Sequence, residues 1–238
     1  MKTMLFDLRR QAETRPDAAA FSDAEETLTF LDVDRISDAA ATALLARGTK
    51  KEAVLLFTAR SAREIALFFA VWKAGCFYVP VDAEMGEARI RSILARVQPR
   101  FAIADETGKR LLAAYGFAGD VLEPDTLIAT SPDPDALRIA QEATLDVDPA
   151  YLVFTSGSTG APKGVMGCHR AVLDYAEQIT KTLRADSSDV FAMQAPLYVD
   201  ACLKEILSAL RCGSLVVLVP KKLFMTPVPL VQFLNEHR

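Results

Sequence analysis

"AVLLFTARSAREIALFFAVWKAGCFYVP", residues Ala53 to Pro80, decides the fold class. Its opening run, Ala53–Thr58, is almost wholly apolar, as in a strand buried on both faces. Ser61 stands three residues before Glu64, the spacing of a reciprocal N-terminal cap. Behind that cap, Ile65, Phe68, Phe69 and Trp72 recur at i, i+3, i+4 and i+7, which predicts a helix that Gly75 stops. "FYVP" (77–80) then reads as a second short strand. A strand, a helix and a strand in such close succession are the unit of an α/β protein.

The same alternation continues on either side. "RISDAAATALLARG" (35–48) has helical spacing and closes on Gly48. A helix is expected over about Glu87–Val97 and a strand in "RFAIAD" (100–105), with further short strands near Val121 and at Leu127–Ala129. "TSPDPD" (130–135) is a linker by its Pro and Asp content. "LVF" (152–154), "VFAMQ" (190–194) and "SLVVLVP" (214–220) predict strands. Val172, Tyr175, Ala176, Ile179 and Leu183 place a helix, and a second runs from about Asp200 to Leu210 with Leu203, Ile206, Leu207 and Leu210 on its apolar face. A last helix starts near Thr226. The fold class is α/β, alternating strands and helices with largely parallel sheet or sheets.

Composition narrows the function. With 238 residues, the chain can bury roughly 70–75% of its unfolded surface. It is 51% hydrophobic and 24% charged, a globular balance rather than a disordered one. A net charge of −4 leaves no basic footprint, which argues against a nucleic-acid partner. The longest apolar run, Ile65–Trp72, is too short to cross a bilayer, and the N-terminus lacks the apolar stretch of a signal peptide. Four cysteines without a C-x-x-C pair are expected as reduced thiols in a cytoplasmic protein, with no membrane partner. Two histidines, His169 and His237, cannot write a zinc motif.

Chemistry concentrates in "TSGSTGAPKG", Thr155–Gly164. Thr155, Ser156, Ser158 and Thr159 supply hydroxyls; Gly157 and Gly160 let backbone N–H groups turn toward an anion; Lys163 supplies a point charge. The loop is neither a Walker A sequence nor G-x-G-x-x-G, because Pro162, Gly164 and Thr159 occupy the wrong positions. It is expected between a strand and a helix, where α/β proteins place ligands, and the alternative is a solvated Ser/Gly linker.

This loop resembles the phosphate-loop signature of the adenylate-forming superfamily. Other segments follow in the family's order. "LTFLDVDRISDAAATALLARG" (28–48) is similar to an early family segment, and "WKAGCFYVPVD" (72–82) to the "KAG-x-YVP-x-D" motif of non-ribosomal peptide synthetase adenylation domains. "VMGCHRAVL" (165–173) and "VDACLKEIL" (199–207) resemble two later motifs of those domains. The resemblance implies the N-terminal part of the large domain of such an enzyme, and activation of an amino-acid carboxylate by ATP with Mg²⁺ to give aminoacyl-AMP and pyrophosphate. A carrier-protein thiol would then take the aminoacyl group. Thr155, Ser156, Gly157, Ser158, Thr159, Gly160 and Lys163 would hold the ATP phosphates, with Lys163 the catalytic charge.

By the same resemblance Asp200 would hold the substrate α-ammonium, Ala201 would leave room beside it, and Lys204 would meet an acidic side chain such as that of glutamate. Asp200 could instead cap its helix, and Asp200 and Lys204 could pair across one turn. The family usually has an aromatic where Val199 stands. Its members run to about twice this length, so residues 1–238 are expected to be an N-terminal portion with a possible subdomain linker near 130–148. The remainder of the large domain and the small lid domain would lie outside it, and this chain alone would be inactive. The alternative to an enzyme is a non-catalytic nucleotide-binding or interaction module with the same fold.

Overall fold

The structure, a computed structural model, describes residues 3–155 and 162–237. Two sheets carry the fold. The strands of the first are β1 (Ala19–Ser22), β2 (Thr27–Thr29), β9 (Val190–Met193) and β10 (Leu215–Leu218), in the order β2-β1-β10-β9. The second contains β3 (Ala53–Phe57), β4 (Phe77–Pro80), β5 (Phe101–Ala104), β6 (Asp120–Leu122), β7 (Pro149–Thr155) and β8 (Lys163–Cys168), in the order β6-β5-β3-β4-β7-β8. Pairings are parallel except β1 with β2 and β7 with β8. The largely parallel α/β arrangement expected from the sequence is present.

Strand periodicity explains the layers. Val54 and Leu56 of β3 face a core shared with the first sheet, whereas Leu55 and Phe57 face the opposite side and pack with Ile90, Ile93 and Leu112. Ile90 and Ile93 belong to α4 (Glu87–Val97), and Leu112 to α5 (Glu106–Ala114). The inner layer is built on α2 (Phe30–Leu45) and α3 (Ala62–Lys73). Every residue from Ile65 to Lys73 is buried, so α3 is enclosed on all sides rather than along one stripe. Its one charge in that stretch, Lys73, is 2% exposed and bonds Asp34 at 2.6 Å and Asp38 at 2.7 Å, both on α2.

Local signals start these helices. Thr29 and Asp32 form a reciprocal cap on α2, at 3.1 and 3.0 Å. On α3, Ser61 accepts from the Glu64 N–H at 3.2 Å, but Glu64 does not return the bond as the spacing suggests. Its carboxyl is buried instead, and that burial raises its pKa well above the usual carboxylate range.

Helix α1 (Leu5–Thr14) docks against the end of α9 (Leu203–Cys212). Arg10, Gln11 and Arg15 donate to the carbonyls of Arg211, Leu210 and Gly213 at 2.7, 3.0 and 2.6 Å, satisfying the acceptors a helix end leaves open. Asp7, fully buried, pairs with Arg10 at 2.8 Å and Arg211 at 3.0 Å. Gly213 has φ +79°, and a Cβ there would lie 2.3 Å from the Arg15 guanidinium, so the stop needs glycine twice over.

Two expectations change. Leu127–Ala129 does not form a strand, because α6 (Pro124–Ile128) is helical with Pro124 in its first turn, where the missing N–H costs nothing. The Ser/Gly loop leads not into a helix but into β8, and α8 (His169–Leu183) begins only after that strand. Within 130–148 lies a further helix, α7 (Pro134–Ala143), capped by Asp133 and holding Leu137 in the core. The last helix is α10 (Pro227–Glu236). All four cysteines are free, and no helix among the described residues is long and apolar enough to cross a membrane.

Candidate functional site

Chain direction brings three segments to one edge. β7 runs parallel to β4, so β7 ends and β8 begins at the edge where the parallel strands end, the edge at which such sheets bind ligands. Thr155 and Lys163 face each other as the last and first residues of the β7–β8 hairpin, with the Thr155 hydroxyl 3.5 Å from the Lys163 carbonyl. Arg89 fastens the hairpin by donating to the Phe154 carbonyl at 2.5 Å. Lys163 is exposed and forms no ion pair among the described residues. Ser156, Gly157, Ser158, Thr159 and Gly160 lie outside the described residues.

The first sheet ends at the same place. Arg60, just beyond β3, donates to the carbonyls of Met193 at 2.7 Å and Val219 at 3.1 Å, tying the ends of β9 and β10 to the second sheet. Burial lowers the Arg60 pKa, against the pull of Glu64 and other acidic neighbours. Lys221 repeats the tie from the other side, 2.7 Å from Glu84 and 3.6 Å from Asp82.

Asp200 opens the turn Asp200–Cys202 that leads into α9. It is exposed, whereas the ammonium-holding role had been expected of a buried carboxylate; a one-turn element between a strand end and a helix start presents its first residue to solvent. Its carboxylate caps nothing and makes no hydrogen bond or ion pair among the described residues. Ala201 beside it is exposed. Lys204 does not pair with Asp200. The chain between them is not a continuous α-helical turn, and the Lys204 ammonium lies 3.0 Å from Glu205, itself 9% exposed.

Around Asp200 stand three tyrosines that motif reading did not select. Tyr78 and Tyr151 are cross-strand partners on β4 and β7, their rings 6.2 Å apart, and Tyr175 comes from α8. Burial raises the pKa of all three hydroxyls; the negative charge of Asp200 comes next for Tyr151 and is a smaller contribution for Tyr78 and Tyr175. Tyr78 and Tyr151 sit in "FYVP" and "YLVF", at positions legible as strand but not as neighbours.

Below them, His169 is buried edge-on to Trp72, ring centroids 5.4 Å apart. Neither of its ring nitrogens has a hydrogen-bond partner, and burial pushes its pKa down to about 4. The Cys202 thiol is fully buried and shifted well up by burial, which suits packing rather than reactivity.

Lys163, at the foot of the β7–β8 hairpin, and Asp200, ahead of α9, are exposed charges without an ion pair among the described residues. The chain belongs to the AMP-binding enzyme family, a family of adenylate-forming ligases, whose model matches residues 8–238. It is 34% identical to the AMB antimetabolite synthetase AmbE of Pseudomonas aeruginosa over 98% of its own length and 11% of that protein. It is 31% identical to the D-alanine–D-alanyl carrier protein ligase of Staphylococcus aureus, over 99% of its length and 46% of that protein. Among solved structures, VinN in complex with L-aspartate superposes with a TM-score of 0.79 at 26% identity, covering 91% of this chain and 57% of VinN. The chain thus spans between about a tenth and somewhat over half of these relatives.

Proposed function

We propose that this chain contributes the phosphate-binding and amine-binding parts of an ATP-dependent ligase that activates an amino-acid carboxylate as aminoacyl-AMP. One observation carries this reading: Lys163, the first residue of β8, and Asp200, just ahead of α9, are exposed charges of opposite sign with no ion pair among the described residues. The buried charges Lys73 and Asp7 are paired within the fold, and partners that arrive with the substrates are our account of these two open ones.

In the proposed reaction the substrate carboxylate attacks the α-phosphorus of ATP, and pyrophosphate leaves. The protein's work in such a transfer is positioning and charge stabilisation. Thr155, Ser156, Ser158 and Thr159 would donate to the β- and γ-phosphates, Gly157 and Gly160 would let the backbone close on them, and Lys163 would offset their charge. Mg²⁺ would come with the nucleotide, held chiefly by phosphate oxygens. Asp200 would receive the α-ammonium, with Ala201 keeping the space beside it open.

The substrate we propose is glutamate or a similar acidic amino acid. VinN binds L-aspartate in its solved complex, and Lys204 offers a cation half-exposed at the same mouth, free to be shared between Glu205 and a substrate carboxylate. The product would pass to a carrier-protein thiol, a step supported by the carrier-protein ligase among the relatives. Residues 1–238 would be the N-terminal portion of the catalytic unit, with the 130–148 segment bridging its parts and the ribose- and carboxylate-contacting groups supplied by other residues of the protein. The chain alone would then be inactive. ATP–pyrophosphate exchange by the protein carrying this chain, run with each protein amino acid, tests the proposal: exchange driven by glutamate or aspartate is expected, and no exchange with any amino acid would overturn it.

A further inference from the structure

Across the second sheet, Tyr78, Tyr151 and Gly167 occupy one row, paired in register on β4, β7 and β8. Side chains in such a row share a face of the sheet. Tyr78 is stacked on Phe68 at 4.1 Å and cannot swing away. Tyr151 leans over β8, whose residue at this level is Gly167. A Cβ on Gly167 would lie 2.3 Å from Cζ and 2.6 Å from the hydroxyl oxygen of Tyr151. The missing side chain of Gly167 is thus the space that the phenol tip fills. Its hydroxyl, partly buried, makes no hydrogen bond among the described residues, and the nearby Asp200 carboxylate makes none either. A carboxylate and a phenol that can both donate and accept thus have no protein partner among the described residues, and both can accept from a ligand's N–H groups.

We infer that Tyr151, laid in the cradle of Gly167, is a second binding residue for the substrate α-ammonium, accepting one of its N–H bonds at the phenol oxygen while Asp200 supplies the charge. This rests on the proposed amino-acid-activating function and adds to it a residue and its support. A primary ammonium has three donors, more than a lone carboxylate uses well in a partly open site. Burial, and after it the Asp200 charge, raises the pKa of the Tyr151 hydroxyl, so the two lie within electrostatic reach. The assigned ligand is an α-amino acid rather than a plain carboxylic acid.

The test uses the protein carrying this chain, with the twenty protein amino acids as probes in ATP–pyrophosphate exchange. The desamino acid matching the best probe, glutarate for glutamate, serves as inhibitor. Tyr151→Phe is expected to raise the amino-acid KM about tenfold, the scale of one hydrogen bond to a charged group. It should leave the ATP KM and the inhibition by the desamino acid within about twofold, a pattern that loss of packing would not give. Gly167→Ala, which keeps the tyrosine but displaces its tip, should reproduce the rise. Tyr151→Phe combined with Asp200→Asn should cost less than the product of the two separate effects, because both hold one group. Exchange in the wild type with an unchanged amino-acid KM in Tyr151→Phe would overturn this inference alone. Equal weakening of amino acid and desamino acid would overturn it too, by assigning Tyr151 to the pocket wall. No exchange with any amino acid would remove the proposed function and this inference together.

Discussion

Lys73 and Lys163 show two ways in which this molecule treats a charge. Lys73 lies inside the molecule between two aspartates and a carbonyl of α2, with every donor spent. Lys163 stands at the foot of a hairpin with no ion pair among the described residues. The carboxylates divide likewise: Asp7 is buried between two arginines, and Asp200 is exposed with no partner. Lys73 and Asp7 are closed within the fold, while Lys163 and Asp200 are left open. Under the proposed function, this contrast is the one between scaffold and site.

The largest effect should come from the closed side. Lys73→Ala leaves Asp34 and Asp38 facing a buried gap, and a loss of about 3–4 kcal/mol in unfolding free energy is expected from denaturant titration, since one partner of a buried pair is removed. A loss under about 1 kcal/mol would mean that water replaces the ammonium and that the contrast is overdrawn.

Next is a dependence on pH. His169 titrates near 4 in the fold, against about 6.5 when unfolded, so below pH 6.5 the unfolded chain binds the extra proton. Stability should therefore fall as pH drops from about 6.5 to about 4, by up to about 3 kcal/mol, and level off below that. His169→Gln should flatten this slope. Emission from Trp72, the single tryptophan, gives a local readout at the ring His169 touches.

On the open side, Asp200→Asn should raise the amino-acid KM in exchange about a hundredfold, the scale of a lost charge-assisted contact, yet change unfolding free energy by less than about 0.5 kcal/mol. Lys163→Ala should likewise slow exchange with no shift in melting temperature. A melting temperature that falls with either variant would place that residue among the scaffold charges.

The smallest expected effect concerns selectivity. Because Lys204 is already paired with Glu205, its removal should cut the preference for glutamate over glutamine by only about tenfold. Equal responses to the two amino acids would assign Lys204 to the helix surface.

The central crossover was legible because its signals are local. Apolar runs mark β3 and β4, and the cap at Ser61 and stop at Gly75 bound the helix between them. Strand β8 was not, because its sequence, Lys-Gly-Val-Met-Gly-Cys, holds two glycines that weaken a strand, and Gly167 makes sense only beside Tyr151. Leu127 and Ile128 form an apolar pair too short to distinguish strand from helix, and only Pro124 ahead of them points to a first turn. In the candidate site, Lys163 and Asp200 come from motifs. The exposure of Asp200, the Lys204–Glu205 pair and the tyrosine row depend on register and chain direction, which no window of sequence contains.

Helix α1 grips α9 at the far end from Asp200, chiefly through main-chain oxygens of Leu210, Arg211 and Gly213, with Asp7 pairing to the Arg211 side chain. Main-chain oxygens are the same whatever side chains a helix bears. Substitutions near the start of α9 can therefore accumulate over generations without loosening the anchor, provided that the helix and Gly213 persist. Under the proposed function, the architecture thereby lets descendants of this chain explore new substrates at little structural risk, with inheritance of the framework decoupled from inheritance of taste.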